Sequence, residues 1–201
     1  LILIKAGLDP TIIIGTKLKE LDPTSSRLGS GLRGTGTNFR LGKSEYLVLE
    51  ADEYARSFYN YFPKIAVITN IDKEHLDVYG NLAGVIKGFR TFFNNVSAGG
   101  YIIANSQDGN TKTALKLQKS GYKIIWYKKG NHKLSIPGVH NQFNAEAAWQ
   151  AVKLLGVKKI VADKVFRSYH GAWRRMEKLK KGSKFHVLGC VIYSDYAHHP
   201  T

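Results

Sequence analysis

Short apolar runs alternate with segments of helical spacing along most of this chain. Thr11-Ile12-Ile13-Ile14-Gly15, Tyr46 to Glu50, Lys64 to Asn70, Tyr101 to Ala104 and Lys123 to Tyr127 are continuous and rich in β-branched residues, which predicts buried strands. Between them, residues 82–96 place Leu82, Val85, Ile86, Phe89, Phe92, Phe93 and Val96 on one helical face. Further helices are predicted over 109–119, 141–155 and about 160–168. The opening LILIKAG reads as the end of an apolar helix closed by a glycine C-cap at Gly7. Residues 22–44, rich in Gly, Ser and Thr, read as loop, and Phe185 to Tyr196 as β structure. Strands alternating with helices predict an α/β fold, a mostly parallel sheet flanked by helices. In such sheets ligands bind past the carboxyl ends of the strands. The polar residues there are Glu50, Asp52 and Glu53 after one strand and Asn70 to Asp77 after the next.

Composition narrows the class. The 201 residues are 43% hydrophobic and 22% charged, ordinary globular values that exclude wholesale disorder. One cysteine, Cys190, rules out an intrachain disulfide and reads as a small buried hydrophobe. No apolar run approaches bilayer length and no signal-peptide pattern opens the chain, so a cytoplasmic location without membrane contact is expected. Thirty Lys and Arg against fifteen Asp and Glu leave a formal charge of +15, which attracts polyanions. These residues are spread rather than gathered in an arm. A solvated basic surface, an anionic small substrate and a non-catalytic nucleic-acid module therefore all stay open.

One apparent phosphate loop is set aside. Gly36 to Ser44 (GTNFRLGKS) has five residues between its glycines where a P-loop has four, and it precedes a strand instead of following one. The acidic EADE at Glu50 to Glu53 and the His75 segment are different. Adjacent parallel strands lie about 4.8 Å apart, so the tips of these two are expected to bring a carboxylate and an imidazole together. Such a pair suits a hard cation that keeps waters for substrate phosphates. Acidic loops that are merely solvated fit the same pattern.

Five segments in order (EADEYARSF, KIAVITNIDKEHLDVYG, IPGVHNQFNAEAAWQAV, GAWRRME and YSDYAHHPT) resemble the Mur ligase family, ATP-dependent enzymes that build the peptide of bacterial cell-wall precursors. The resemblance implies the P-loop-type central ATP-binding domain over 1–170 and the start of a Rossmann-like C-terminal domain over 171–201. It implies ATP and Mg2+ as cofactors, with Glu50 and His75 as metal residues. Asn141 and Asn144 would hold the adenine, Arg175 the nucleotide and Asp195 the ribose hydroxyls. His198 is a further catalytic candidate beside His75. The motifs are most similar to members joining L-alanine to UDP-N-acetylmuramate through an acyl phosphate. Joining a preformed tripeptide to the same sugar nucleotide is the alternative, and the oligomeric state stays open. Asn141 has a second reading as the N-cap of its helix, and Arg174 or Arg175 as surface charge. Trp126, Trp149 and Trp173 read as core or interface residues. The family's glycine-rich phosphate loop is absent from these residues and is expected upstream of Leu1, so the chain reads as an internal fragment with little ligase activity alone.

Overall fold

The computed structural model describes residues 1–21, 36–116, 121–178 and 192–196. In chain order the elements begin with α1 (Ile2–Lys5), β1 (Thr11–Leu18), β2 (Thr37–Arg40), β3 (Leu47–Leu49) and β4 (Ile65–Ile68). They continue with α2 (Leu76–Tyr79), α3 (Leu82–Asn94), β5 (Tyr101–Asn105), α4 (Gly109–Leu115) and β6 (Lys123–Tyr127). Then come α5 (Val139–Lys153), α6 (Lys159–Ser168), β7 (Glu177–Lys178) and β8 (Tyr193–Ser194). The chain divides into two compact units, one of residues 1, 3–50 and 168–201, the other of residues 2 and 51–167.

The first unit is built on β1. After α1 the chain reverses at Gly7, whose φ of 81° suits a residue without Cβ, and the Gly7 and Leu8 amides close on the carbonyls of Ile4 and Leu3. Strand β2 pairs antiparallel to one side of β1, Ile13 opposite Phe39. Strand β3 pairs parallel to the other side, Ile12 opposite Val48. The turn between β2 and β3 is tied to Asp9. Its carboxylate pairs with Arg40 and accepts from the Lys43 amide, and its carbonyl accepts from the Ser44 amide. The GTNFRLGKS segment is therefore a strand and a turn, with no helix behind it. Residues 37–40 were expected as loop: a four-residue strand among Gly, Ser and Thr carries too little apolar periodicity to stand out. In the same unit β7 and β8 form an antiparallel pair.

The second unit carries the core. β4, β5 and β6 run parallel with β5 in the centre, and Ile102, Ile103 and Ala104 on it are completely buried. Alternation sends successive side chains to opposite faces. Ala66, Ile68, Ile102 and Ala104 meet α3 and α4 through Val85, Phe92, Phe93, Ala114 and Leu115. Ile103 and Tyr127 face α5, where they meet Ala147 with Phe143 and Ala151 beside it. Phe58 stacks on Phe92 at 5.0 Å and meets Phe89 edge-on at 5.2 Å, which locks the segment after EADE onto α3.

Sheet membership corrects one expectation. The sequence expectation sets the tips of β3 and β4 side by side; β3 instead pairs with β1, and β4 with β5 in a separate sheet. Strand composition does not encode its partner.

Candidate metal and nucleotide site

The loop after β4 carries His75 and is fastened from beneath. Asp108 caps α4 by accepting from the Thr111 amide at 2.6 Å, and the same oxygen accepts from the Ile71 amide at 3.3 Å. Asn110 donates to the Ile71 carbonyl at 2.8 Å and Asn105 to the Thr69 carbonyl at 3.0 Å. Three polar side chains from the next βα connection thus fix where residues 69–71 run, and α2 begins just past His75. His75 itself sits at φ 52°, ψ 45°, a left-handed conformation that a non-glycine residue adopts at a cost. Ala55 and Arg56, in the helical turn Tyr54–Asn60, share it at φ 50° and 60°.

Glu53, Glu74 and His75 converge. One ligand atom from each lies within 4.8 Å of the others, and His75 Nε2 is 3.6 Å from Glu53 Oε1. Tyr54 packs its ring 5.1 Å from the imidazole. Behind them the Tyr79 hydroxyl donates to the Glu53 carbonyl at 2.6 Å, and burial first, then neighbouring Tyr59 and Glu53, push that phenol up to about 12. Partial burial raises the Glu53 carboxyl above its ordinary 4.5, and the adjacent Glu74 raises it further against the opposing pull of His75. Two carboxylates crowded in a half-buried place, with an imidazole beside them, fit one divalent cation, whose charge would relieve that crowding.

Glu50 belongs to the first unit. Its amide donates to the Ile13 carbonyl, extending the β1–β3 pairing by one residue, and its carboxylate accepts from the Gly15 amide at 2.7 Å. The side chain is exposed at the carboxyl end of β3, where an α/β sheet presents ligand groups.

The nucleotide candidates are placed one by one. α5 starts at Val139 after Gly138, so Asn141 lies inside the first turn and is not the N-cap. Its Nδ2 donates to the Pro137 carbonyl, which leaves its own carbonyl oxygen as an acceptor. Asn144 is exposed one turn on. In the first unit, Arg174 is engaged by aromatic faces, its guanidinium 5.4 Å from the Trp173 ring centroid and 4.9 Å from that of Tyr196. Arg175 is exposed. Asp195 is exposed too, and its Oδ2 accepts from the Met176 amide at 2.8 Å. His198 and Cys190 lie outside the described residues. Trp126 and Trp173 are 45% and 48% exposed, so neither is a core residue. Glu74 and Asp108 were not singled out from sequence as ligand and anchor; the Asp108-Gly109 start of a helix was the available sign of a cap.

A family model described as "Mur ligase middle domain" matches residues 8–136, well over half of the chain. The chain belongs to the Mur ligase family. UDP-N-acetylmuramate--L-alanine ligase of Caldicellulosiruptor saccharolyticus is 35% identical over 230 residues, covering 100% of this chain and 46% of that protein. The enzyme of the same name from Aquifex aeolicus is 36% identical over 229 residues, with the same coverage. The crystal structure of UDP-N-acetylmuramate-alanine ligase from Thermotoga maritima superposes with a TM-score of 0.72 at 22% identity, over 99% of this chain and 46% of that one. This chain thus spans about half the length of the curated relatives it matches. The mixed α/β fold with a parallel sheet is that of this family, and among the described residues no helix is long and apolar enough to cross a membrane.

Proposed function

We propose that this chain is the nucleotide-handling part of an ATP-dependent ligase that joins L-alanine to UDP-N-acetylmuramate. The observation that carries the reading is sequence identity of about 35% across the whole chain to enzymes of that name. In such a reaction the muramic-acid carboxylate attacks the γ-phosphorus of ATP and releases ADP. The L-alanine amine then attacks the acyl phosphate and expels inorganic phosphate, leaving an amide. Phosphoryl transfer asks a protein mainly for positioning and charge neutralisation.

The residues divide that work. Asn141 and Asn144, three apart on one side of α5, hold the purine edge, the free carbonyl oxygen of Asn141 accepting from the exocyclic amine. Asp195 keeps one carboxylate oxygen for ribose hydroxyls, since the other accepts from Met176. Arg175 pairs with phosphate or ribose oxygens, and His198 serves near the transferring group. His75, with Glu53 and Glu74 beside the imidazole, holds a divalent cation that would neutralise phosphate charge when bound, and Glu50, at the end of β3, is a further metal residue. Residues 1–170 act as the central ATP domain, and 171–201 open the next domain. A soluble enzyme working in the cytoplasm matches the substrates.

The test is turnover by the intact gene product with Mg2+, ATP, UDP-N-acetylmuramate and an amino acid. ADP release that requires both the sugar nucleotide and L-alanine is expected. ADP release that instead requires the tripeptide L-alanyl-γ-D-glutamyl-meso-diaminopimelate, or neither acceptor, overturns the proposal.

A further inference from the structure

The first turn of α5 has no side-chain cap, because Gly138 occupies the N-cap position with φ 104°. A helix start without a cap frays, since its orphan N–H groups lack partners. Something else secures it. The side-chain amide of Gln142 pairs with both backbone groups of His132, accepting from its N–H at 2.8 Å and donating to its carbonyl at 2.9 Å. The His132 ring, 5% exposed, places Nε2 2.7 Å from Glu146 Oε2. Glu146 Oε1 accepts from Gln150 one turn further on, at 2.6 Å. The opposite ring nitrogen, Nδ1, lies 3.4 Å from Lys159 Nζ on α6, which also pairs with Asp163. Phe166 of α6 covers the ring at 4.9 Å. A Cβ at Gly130 would stand 2.5 Å from the imidazole, so the loop approaches this closely only because residue 130 is glycine.

Only one arrangement of protons on the ring satisfies both polar neighbours. Nε2–H donates to the Glu146 carboxylate, and bare Nδ1 accepts from the Lys159 ammonium. His132 thereby joins a loop, α5 and α6 through one buried ring.

At 100° per residue, Gln142 and Glu146 share one side of α5, while Asn141 and Asn144 lie about 150° away around the axis. Fixing the first side fixes the direction in which the second points. We infer that His132 is a positioning residue: with Gln142 and Glu146 it sets the rotation of the first turns of α5 and so aims Asn141 and Asn144 at the adenine. This rests on the proposal that those asparagines hold the base.

The test compares binding of ATP and of inorganic triphosphate to the full chain, wild type and variants, by calorimetry. Nuclear magnetic resonance reads the His132 tautomer and the Asn141 and Asn144 side-chain amides. His132→Ala is expected to weaken ATP about tenfold, the scale of one lost hydrogen bond to a charged group, with triphosphate affinity unchanged. His132→Gln, which can still donate to Glu146, is expected to restore most of the ATP affinity. Gln142→Ala shifts both asparagine amides and serves as the readout if His132→Ala does not fold. Wild-type-like ATP affinity in both His132→Ala and Gln142→Ala, or equal loss of ATP and triphosphate, overturns the inference. If Asn141→Ala and Asn144→Ala leave wild-type ATP affinity unchanged, or the wild type binds no ATP at millimolar concentration, the base-binding reading fails and takes the inference with it.

Discussion

Gly84 lies in the first turn of α3, and its substitution by alanine sets two effects against each other. Helix propensity favours the change by about 1 kcal/mol. Space opposes it: a Cβ at residue 84 would stand 2.0 Å from the carbonyl oxygen of Tyr79 and 3.0 Å from its carbon. Carbon and oxygen sit comfortably at roughly 3.3 Å, so Tyr79 must retreat by about 1.3 Å. Tyr79 is not free to do so. Its amide is bonded to the His75 carbonyl at 3.0 Å, its hydroxyl to the Glu53 carbonyl at 2.6 Å, and its ring lies against Gly88. Overpacking of this kind costs about 1–3 kcal/mol, and loss of either hydrogen bond adds about 1. The clash wins, and Gly84→Ala is expected to destabilise by about 1–3 kcal/mol. Denaturant unfolding followed by circular dichroism measures this. Gly109→Ala is the control, since it opens α4 with nothing within 4 Å of the added methyl, and it should stabilise by up to about 1 kcal/mol. Gly84→Ala as stable as wild type would refute the placement of α2 against α3, and with it the support behind His75 and Glu53.

Other consequences concern the core and the pH response. Phe93→Ala empties a fully buried position between α3 and the sheet, and should cost about 3–5 kcal/mol in the same unfolding measurement. The Glu177 carboxyl is pulled up by burial, but hydrogen bonds from Lys19 Nζ and the Arg174 amide outweigh that and hold it below its ordinary 4.5. A depressed carboxyl stabilises the fold fully above its ordinary value and loses that contribution as pH falls through the folded-state value. Glu177→Gln should therefore lower stability at neutral pH and flatten its decline below about pH 4.5, read from melting temperatures across the acid range. A decline as steep as wild type would contradict that pairing.

Much of the second unit was legible in the chain. Lys64 to Asn70, Tyr101 to Ala104 and Lys123 to Tyr127 are continuous apolar runs because helices pack on both faces of their sheet, fully over central β5 and less so over β4 and β6, where Val67 and Trp126 stay exposed, and the strands observed fall within a residue or two of those bounds. The helix over residues 82–96 announced itself because only one side meets the sheet. What stayed hidden is non-local. Pairing of β3 with β1, and of β4 with β5, depends on partners distant in sequence. The motif drew attention to Glu50, whereas Glu53 and Glu74 gather at His75 through the left-handed turns at Ala55, Arg56 and His75 itself, which no residue type announces. Asn141 invited a capping role as a polar residue near a helix start, yet the helix begins two residues earlier, after a glycine. The basic surplus is compatible with handling a triphosphate and needs no nucleic acid.

The central claim is that His75 and the carboxylates beside it hold a divalent cation for ATP. Electron paramagnetic resonance of Mn2+, counted as free and bound with ATP present, tests it most directly. Wild-type protein should retain Mn2+, His75→Ala and Glu53→Gln should each weaken it about 10-fold or more, and the exposed His170→Ala should not. Retention unchanged by both His75→Ala and Glu53→Gln would contradict the account.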